Sequence, residues 1–397
     1  MAGPRPVKRL LSIATLYPNP HTPRFGTFVA RQMEALAARG DWEVTVVNPV
    51  GLPPLALGRY APLAALPRTN EQNGVTVHRP RFTLIPAVGG PFNPMMIRRA
   101  VLPLARRLHA LAPFDLVDAQ FFYPDGPAAA AVARVLGLPL AIKARGADVS
   151  LWGHKPYANR MMRTAARQAA GLLAVSRALA DDMAAIGLPR GKIAVHYTGL
   201  DHAAFRPLDP ATSRQRLAQE CGVPADGPLI ASVGALISRK GQRFVIEALP
   251  ALPGVRLALV GKGPDEAMLA ALARQLGVAD RVHFLGSLDH ALLPVVLSAS
   301  AAMVLPSASE GLANAWVEAL ACGTPLVITE AGGARELVTD AVAGHIAARN
   351  AAAIAGAVLA VLASPPPRAA VAASVAGFSW QANAARLAEL YTGYCAG

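Results

Sequence analysis

PLIASVGALISRKGQRFVIEALPALPGVRLALVGKGPDE, residues 228–266, carries the pattern that decides the fold. Residues 229–233 and 256–260 are short, continuous apolar runs bounded by Gly and Pro, and each reads as a strand buried on both faces. Residues 242–249 between them and 265–276 after them carry apolar side chains at helical spacing. Strand, helix, strand, helix predicts a parallel sheet covered by helices. Apolar runs at 282–285, 302–305 and 326–329 supply further strands of the same sheet.

The alternation extends backwards through the first half. Residues 10–16, 43–47, 116–119 and 140–143 read as strands, and 27–39 and 127–137 as helices. The stretch 51–68 is rich in Pro and Gly and reads as an irregular surface excursion. Gly, Asp and Pro cluster at 198–210, which predicts a linker. The expectation is an α/β chain of two facing, doubly wound, Rossmann-like domains at 1–200 and 201–377 with a cleft between them. An amphipathic final segment at 378–397 is expected to pack back onto the first domain, its aromatic residues in the core. Open α/β sheets bind ligands beyond the carboxyl ends of their strands, so the chemistry is expected in the cleft.

Composition agrees with a folded, core-rich protein. Of 397 residues, 53% are hydrophobic and 16% charged, and the mean hydropathy is +0.35, which excludes a disordered chain. A membrane-spanning helix needs roughly 20 apolar residues. The longest uncharged run, 291–309, is interrupted by Pro294 and Pro306 and reads as a short helix followed by a buried strand. The apolar run near the N-terminus breaks at Tyr17-Pro18 without a small-residue cleavage site. Cys221, Cys322 and Cys395 have no metal-ligand spacing and read as reduced thiols. A cytoplasmic protein follows as the expectation.

The net charge of +13 is unevenly distributed. Residues 1–195 hold 24 Lys and Arg against 10 Asp and Glu, whereas the rest hold 14 against 15. Such asymmetry points to a polyanion or an anionic membrane for the first half, and an arginine-rich composition arising from coding bias is the plain alternative.

SEGLANAWVEALACGTPLV, residues 309–327, places Glu310 and Glu318 eight positions apart. A helix beginning near Leu312 would put Glu318 about two turns in and Glu310 on the loop before it. Carboxylates accept hydrogen bonds from vicinal hydroxyls, which suits a sugar and a ribose. The free amides at the helix start, residues 313–315, suit a phosphate. The bland alternative is a capping Glu310 and a solvated Glu318. Upstream, Lys240 and the glycines Gly261 and Gly263 follow two of the predicted strands. A cation and close-approach glycines at strand ends suit a diphosphate, against the alternative of a solvated lysine and ordinary turns.

Taken together, Glu310 and Glu318, Gly323-Thr324-Pro325 and Gly332-Gly333-Ala334-Arg335-Glu336 resemble glycosyltransferase family 4. The resemblance implies the two-domain GT-B fold and retention of anomeric configuration. It implies that Glu310 contacts the transferred sugar, Glu318 the ribose, and Lys240 the donor diphosphate. Gly261 and Gly263 resemble its diphosphate loops, RVHFLG (281–286, beginning Arg281-Val282) its nucleobase segment, and Gly311, Leu312, Ala313 and Asn314 complete the donor side. TGLDHAAF (198–205) resembles the interdomain segment. Where the family often has an arginine after the first strand of this domain, Ala235 stands here, and Arg239 is expected to compensate.

In the first half, LYPNPHTPRFGTFVARQ (16–32) resembles the family's first strand, loop and helix, with Gly26 near a phosphate or acceptor or simply capping the helix. DAQFFYPDG (118–126) resembles a motif of the polysaccharide-building branch, with Gln120 at a histidine position. KARGADVSLW (143–152) resembles a segment that often reads His-Gly-x-Asp. Arg145 takes the histidine's place and can clamp a phosphate, while Asp148 is a helix cap or an acceptor ligand.

The implied function is transfer of a hexose from a UDP- or GDP-linked donor to a glycan or lipid-linked acceptor in cell-surface polysaccharide synthesis. No cofactor besides the donor and no metal are expected, nor a nucleic-acid partner. Docking of the basic first half on the inner face of a membrane is expected. A nucleotide-sugar-binding protein with weakened catalysis and a nucleotide-sugar epimerase are the alternatives. A nicotinamide oxidoreductase is disfavoured, because no Gly-x-Gly-x-x-Gly follows the first strand.

Overall fold

The computed structural model describes residues 7–85, 89–289 and 291–396. Its contacts divide the chain into two units, Met1–Gly199 with Trp380–Gly397, and Leu200–Ser379.

The first unit is built on strands β1 (Lys8–Ile13), β2 (Trp42–Val47), β3 (Val50–Leu52), β4 (Thr69–Gln72), β5 (Val75–His78), β6 (Arg81–Thr83), β7 (Leu116–Ala119), β8 (Leu140–Ala144), β9 (Gly171–Ala174) and β10 (Ile193–Val195). Eight form one sheet in the order β10-β9-β8-β7-β1-β2-β5-β4. Only the edge pair β4 and β5 is antiparallel among them. The strands β7, β8 and β9 are buried at every position, as expected of a sheet covered on both faces. The expected strand 10–16 is displaced to Lys8–Ile13. It ends early because Thr15 leaves the ladder to give its amide and hydroxyl to the Asp125 carboxylate, at 2.9 and 2.8 Å. The stretch expected to be irregular is partly ordered: β3 pairs parallel with β6, and a short helix spans Ala61–Ala64.

The final helix, Trp380–Ala396, lies against the helix Thr27–Ala37. It buries Leu387, Ala388 and Tyr391 among Leu10, Val29, Met33, Leu36 and Trp42. A large apolar side chain such as Leu387 contributes roughly 1.5–3 kcal/mol on burial, which helps hold this helix to the first unit.

The second unit has β11 (Leu229–Val233), β12 (Arg256–Val260), β13 (Val282–Gly286), β14 (Ala302–Leu305), β15 (Leu326–Ile328) and β16 (Gly344–Ile346). All run parallel in the order β13-β12-β11-β14-β15-β16. The order reverses direction between β11 and β14, and in the first unit between β1 and β7. Beyond the carboxyl ends of strands at such a reversal a doubly wound sheet opens its crevice. Those ends carry residues 234–240 and 306–310 in the second unit, and 14–26 and 120–124 in the first. The three cysteines are free. No helix among the described residues is long and apolar enough to cross a membrane.

Candidate functional site

After β11 the chain makes one short turn of helix, Ser238–Lys240, and after β14 it runs without regular structure to Glu310. The two segments bring opposite charges together. Lys240 Nζ donates to Glu310 Oε1 at 2.5 Å, and Arg239 Nη1 lies 3.6 Å from Oε2 while donating to the Ser309 carbonyl at 2.5 Å. The carboxylate side chain is 8% exposed, that of Lys240 14% and that of Arg239 39%. Glu310 therefore does not cap the following helix. That helix, Asn314–Ala321, starts from Ala313 without a side-chain cap.

The helix begins two residues later than expected, which puts Glu318 little more than one turn in rather than two. Glu318 is partly buried and not a solvated face residue. Burial pushes its carboxyl up to about 7. Gly311 and Leu312 are buried, while Ala313 and Asn314 are partly exposed at the helix start.

The glycines act on this loop from two sides. Gly332 has φ +51°, and a Cβ there would lie 2.2 Å from the Glu310 carbonyl oxygen. With Gly333 N donating to Gly311 O at 2.8 Å, the Gly-Gly pair fixes the backbone that carries Glu310. Gly261 and Gly263 differ from expectation. A Cβ on either would meet the carbonyl oxygens of Gly234 or Leu236, at 2.0 and 2.1 Å. Their missing side chains let the loops after β11 and β12 run side by side. Val282 also departs from its expected place. It opens β13, pairs with Leu257 and joins the apolar core, at the opposite end of the strand from Gly286.

In the first unit Gly26 sits at the start of the helix Thr27–Ala37 with φ +75°. A Cβ there would fall 2.5 Å from the Leu16 carbonyl carbon, so the close return of the loop after β1 demands glycine. Asp148 is neither a helix cap nor open to an acceptor. Its oxygens are taken by the amides of Phe122, Arg145 and Gly146 at 2.8, 3.0 and 2.8 Å, which pins the loops after β7 and β8 together.

Gln120 and Arg145 do meet: Arg145 Nη2 donates to Gln120 Oε1 at 2.5 Å, and Nε to the Gln120 carbonyl at 3.2 Å. They belong to a larger buried polar chain with Gln32, Asp118, Lys143, His196 and Tyr391, none of them proposed from the sequence as site residues. Burial, and then the neighbouring Arg145, holds the Lys143 ammonium well below the usual lysine range. Burial and Lys143 hold His196 well below the usual imidazole range. Burial raises Asp118. The signal was present in the sequence: Lys143 and Asp118 are lone charges near the ends of otherwise apolar strands, LAIKA and LVDA.

Comparison with known proteins covers both units. Residues 25–204 match the family model described as Glycosyltransferase Family 4, and 213–375 the model described as Glycosyl transferases group 1. A relative is the GDP-mannose-dependent alpha-(1-6)-phosphatidylinositol monomannoside mannosyltransferase of Mycolicibacterium smegmatis. It is 34% identical over 261 residues, 61% of this chain and 67% of the relative. Among solved structures, sucrose-phosphate synthase from Thermosynechococcus elongatus superposes with a TM-score of 0.79 at 22% identity, over 98% of this chain and 99% of that one. Anabaena HepE in complex with UDP-glucose gives 0.74 at 22% identity, over 97% and 99%.

Proposed function

The chain belongs to glycosyltransferase family 4, nucleotide-sugar-dependent transferases of the GT-B fold, and from that premise we propose a retaining hexosyltransferase of cell-surface polysaccharide synthesis. The donor is a UDP- or GDP-linked hexose and the acceptor a glycan or lipid-linked glycan. The mannosyltransferase relative supports GDP-mannose as the first donor to try.

The observation that carries this function is the contact of Lys240 and Arg239 with Glu310 at the reversal point of the second sheet. A donor diphosphate beside these cations gains electrostatic stabilisation as its charge grows in the transition state. Glu310 accepts hydrogen bonds from the sugar hydroxyls and fixes the ring, and Glu318 does the same for the ribose. The acceptor hydroxyl attacks the anomeric carbon on the face the diphosphate leaves. The carbon–oxygen bond to the β-phosphate breaks, and the acceptor proton passes to the departing phosphate oxygen. Lys240 and Arg239 supply the charge that a metal would otherwise bring, so chelation is expected to leave transfer unchanged.

In the first unit Arg145 takes a substrate phosphate. Its guanidinium is held by amide oxygens and stacks over Phe28 at 4.9 Å, and among the described residues no carboxylate lies within salt-bridge distance of it. The same unit docks on an anionic membrane surface. The helix Asn93–Leu111 exposes Arg98, Arg99, Arg106 and Arg107, with exposed Phe92 and Met95 at its start. A thermal-shift panel of UDP- and GDP-sugars tests the donor assignment: a shift with one of them is expected, and no shift with any contradicts it.

A further inference from the structure

Two glutamines at the carboxyl edge of the first sheet are oriented by Asp118 and Lys143 at opposite ends of a buried hydrogen-bonded chain. At one end, Asp118 Oδ2 accepts from Gln120 Nε2 and from the Tyr391 hydroxyl. Gln120 thereby turns its Oε1 the other way, toward Arg145 Nη2 at 2.5 Å and Gln32 Nε2 at 3.1 Å. At the other end, Lys143 Nζ donates to Gln32 Oε1 at 2.8 Å and contacts His196 Nδ1 at 2.5 Å. His196 Nε2 lies 2.9 Å from the Asn383 carbonyl, which only accepts, so Nε2 carries the proton and Nδ1 accepts from Lys143. Gln32, Asp118, Gln120, Lys143 and His196 are all at most 2% exposed.

Reversing either amide would set an NH2 group against Lys143 or an oxygen against Asp118. Both Oε1 atoms therefore face Arg145, Gln32 Oε1 at 3.4 Å. Together with the Gln120 carbonyl they take Nε and Nη2, and Nη1 has no hydrogen-bond partner among the described residues. The guanidinium is thus fixed in direction, with no carboxylate in salt-bridge contact among the described residues, while Asp148 and Asp118 act on it from a distance. Both ends of the chain rest on one element: Tyr391 and Asn383 lie on the helix Trp380–Ala396.

We propose that Tyr391 and Asp118 are positioning residues for Arg145, through which the C-terminal helix sets the direction of the guanidinium that receives a substrate phosphate. This rests on the placing of Arg145 against a phosphate given above. Deleting the Tyr391 hydroxyl leaves Asp118 with one fewer donor and frees its carboxylate to turn, which loosens the direction it imposes on the Gln120 amide. An amide at position 118 would present a donor to Gln120 Nε2 and turn that glutamine round, aiming its NH2 at Arg145. The C-terminal helix then belongs to substrate binding as well as to the core.

Pyrophosphate is titrated calorimetrically into the full chain carrying Arg239→Ala and Lys240→Ala, which removes the cations of the other candidate phosphate site. On that background Tyr391→Phe and Asp118→Asn are each expected to weaken binding about tenfold, the scale of one charge-assisted hydrogen bond. Arg145→Ala is expected to weaken it at least as much, and Tyr391→Phe added to Arg145→Ala to cost nothing further. A residue that matters only for folding would add its full effect in both backgrounds. If Arg145→Ala leaves pyrophosphate affinity unchanged, or the background chain does not bind, the placing of Arg145 fails and this inference with it. If Arg145→Ala weakens binding but Tyr391→Phe and Asp118→Asn do not, or their effects add in full to that of Arg145→Ala, the positioning role alone is overturned. Should Tyr391→Phe fail to fold by circular dichroism, Asp118→Asn decides.

Discussion

Lys240 and Glu310 lie 70 positions apart in sequence and touch at 2.5 Å, with Lys240 Nζ donating to Glu310 Oε1. Two unit charges about 4 Å apart, in surroundings of effective dielectric near 20, attract by about 4 kcal/mol before desolvation is counted, and closer contact gives more. The pair holds the loops after β11 and β14 at the reversal point of the second sheet, where we propose that the donor diphosphate binds.

The two cations of this site are unequal. Lys240 is nearly buried and in direct contact, whereas Arg239 is more exposed and 3.6 Å away. Lys240→Ala is expected to lower the turnover of sugar transfer by about 100- to 1,000-fold, on the scale of losing one group that stabilises transition-state charge. Arg239→Ala is expected to cost about tenfold, as for a screened, partly exposed charge. Steady-state transfer kinetics check both, and an unchanged Arg239→Ala enzyme would remove its compensating role for Ala235.

Glu318 makes binding and stability depend on pH. Its carboxyl is raised from 4.5 to about 7 by burial. A raised carboxyl contributes stability that is fully present below the unfolded value of 4.5 and is lost as pH climbs through 7. Above that, the folded state carries a penalty of about 1–2 kcal/mol after allowance for partial exposure. Glu318→Gln is expected to match the wild type in urea unfolding near pH 4.5 and to exceed it by that amount at pH 8. With Glu318 on the ribose, as proposed, only its ionised form would accept from both hydroxyls, so wild-type donor affinity is expected to rise between about pH 6 and 8 and to stay flat in the variant. An equal stability difference at both pH values would contradict this.

Gly332→Ala is expected to cost about 2–3 kcal/mol of unfolding free energy and most of the transfer activity, because its Cβ has no room beside the Glu310 carbonyl. Gly277→Ala is the control: its φ is +66°, with nothing within 4 Å of the added carbon. It is expected to lose about 1 kcal/mol and no activity. Equal losses in the two variants would show that backbone conformation alone, and not the packing on Glu310, matters at Gly332.

The parallel sheets were legible because their strands are continuous apolar runs, and the second sheet's strands lie within a residue or so of where 229–233, 256–260 and 302–305 place them. Arg239, Lys240 and Glu310 were legible singly, as charges beyond predicted strand ends in motifs that resemble the family, but their contact with one another was not. What escaped was anything set by a partner distant in sequence. Thr15 ends β1 because Asp125 receives it. Gly261 and Gly263 are glycine because the loop after β11 passes against them. Asp148 is consumed by three backbone amides. Gln32, Lys143, His196 and Tyr391 look like unrelated polar residues until the fold stacks them.

The basic face of the first unit gives an expectation about membranes. None of Arg98, Arg99, Arg106 and Arg107 has a carboxylate within salt-bridge distance among the described residues. Each is worth about 1 kcal/mol near an anionic lipid surface. The full chain is expected to cosediment with phosphatidylserine-containing vesicles at low salt, less at high salt, and to lose most binding on Arg98→Glu with Arg99→Glu. Cosedimentation that ignores salt, or equal binding to neutral vesicles, would contradict electrostatic docking.

Transfer of labelled hexose from the donor that the thermal-shift panel selects, compared between the wild type and Glu310→Ala, tests the central claim most directly. Glu310→Ala is expected to fold, with circular dichroism unchanged, and to transfer at least about 100-fold more slowly. Wild-type turnover by that variant would contradict the assignment of Glu310 to the transferred sugar.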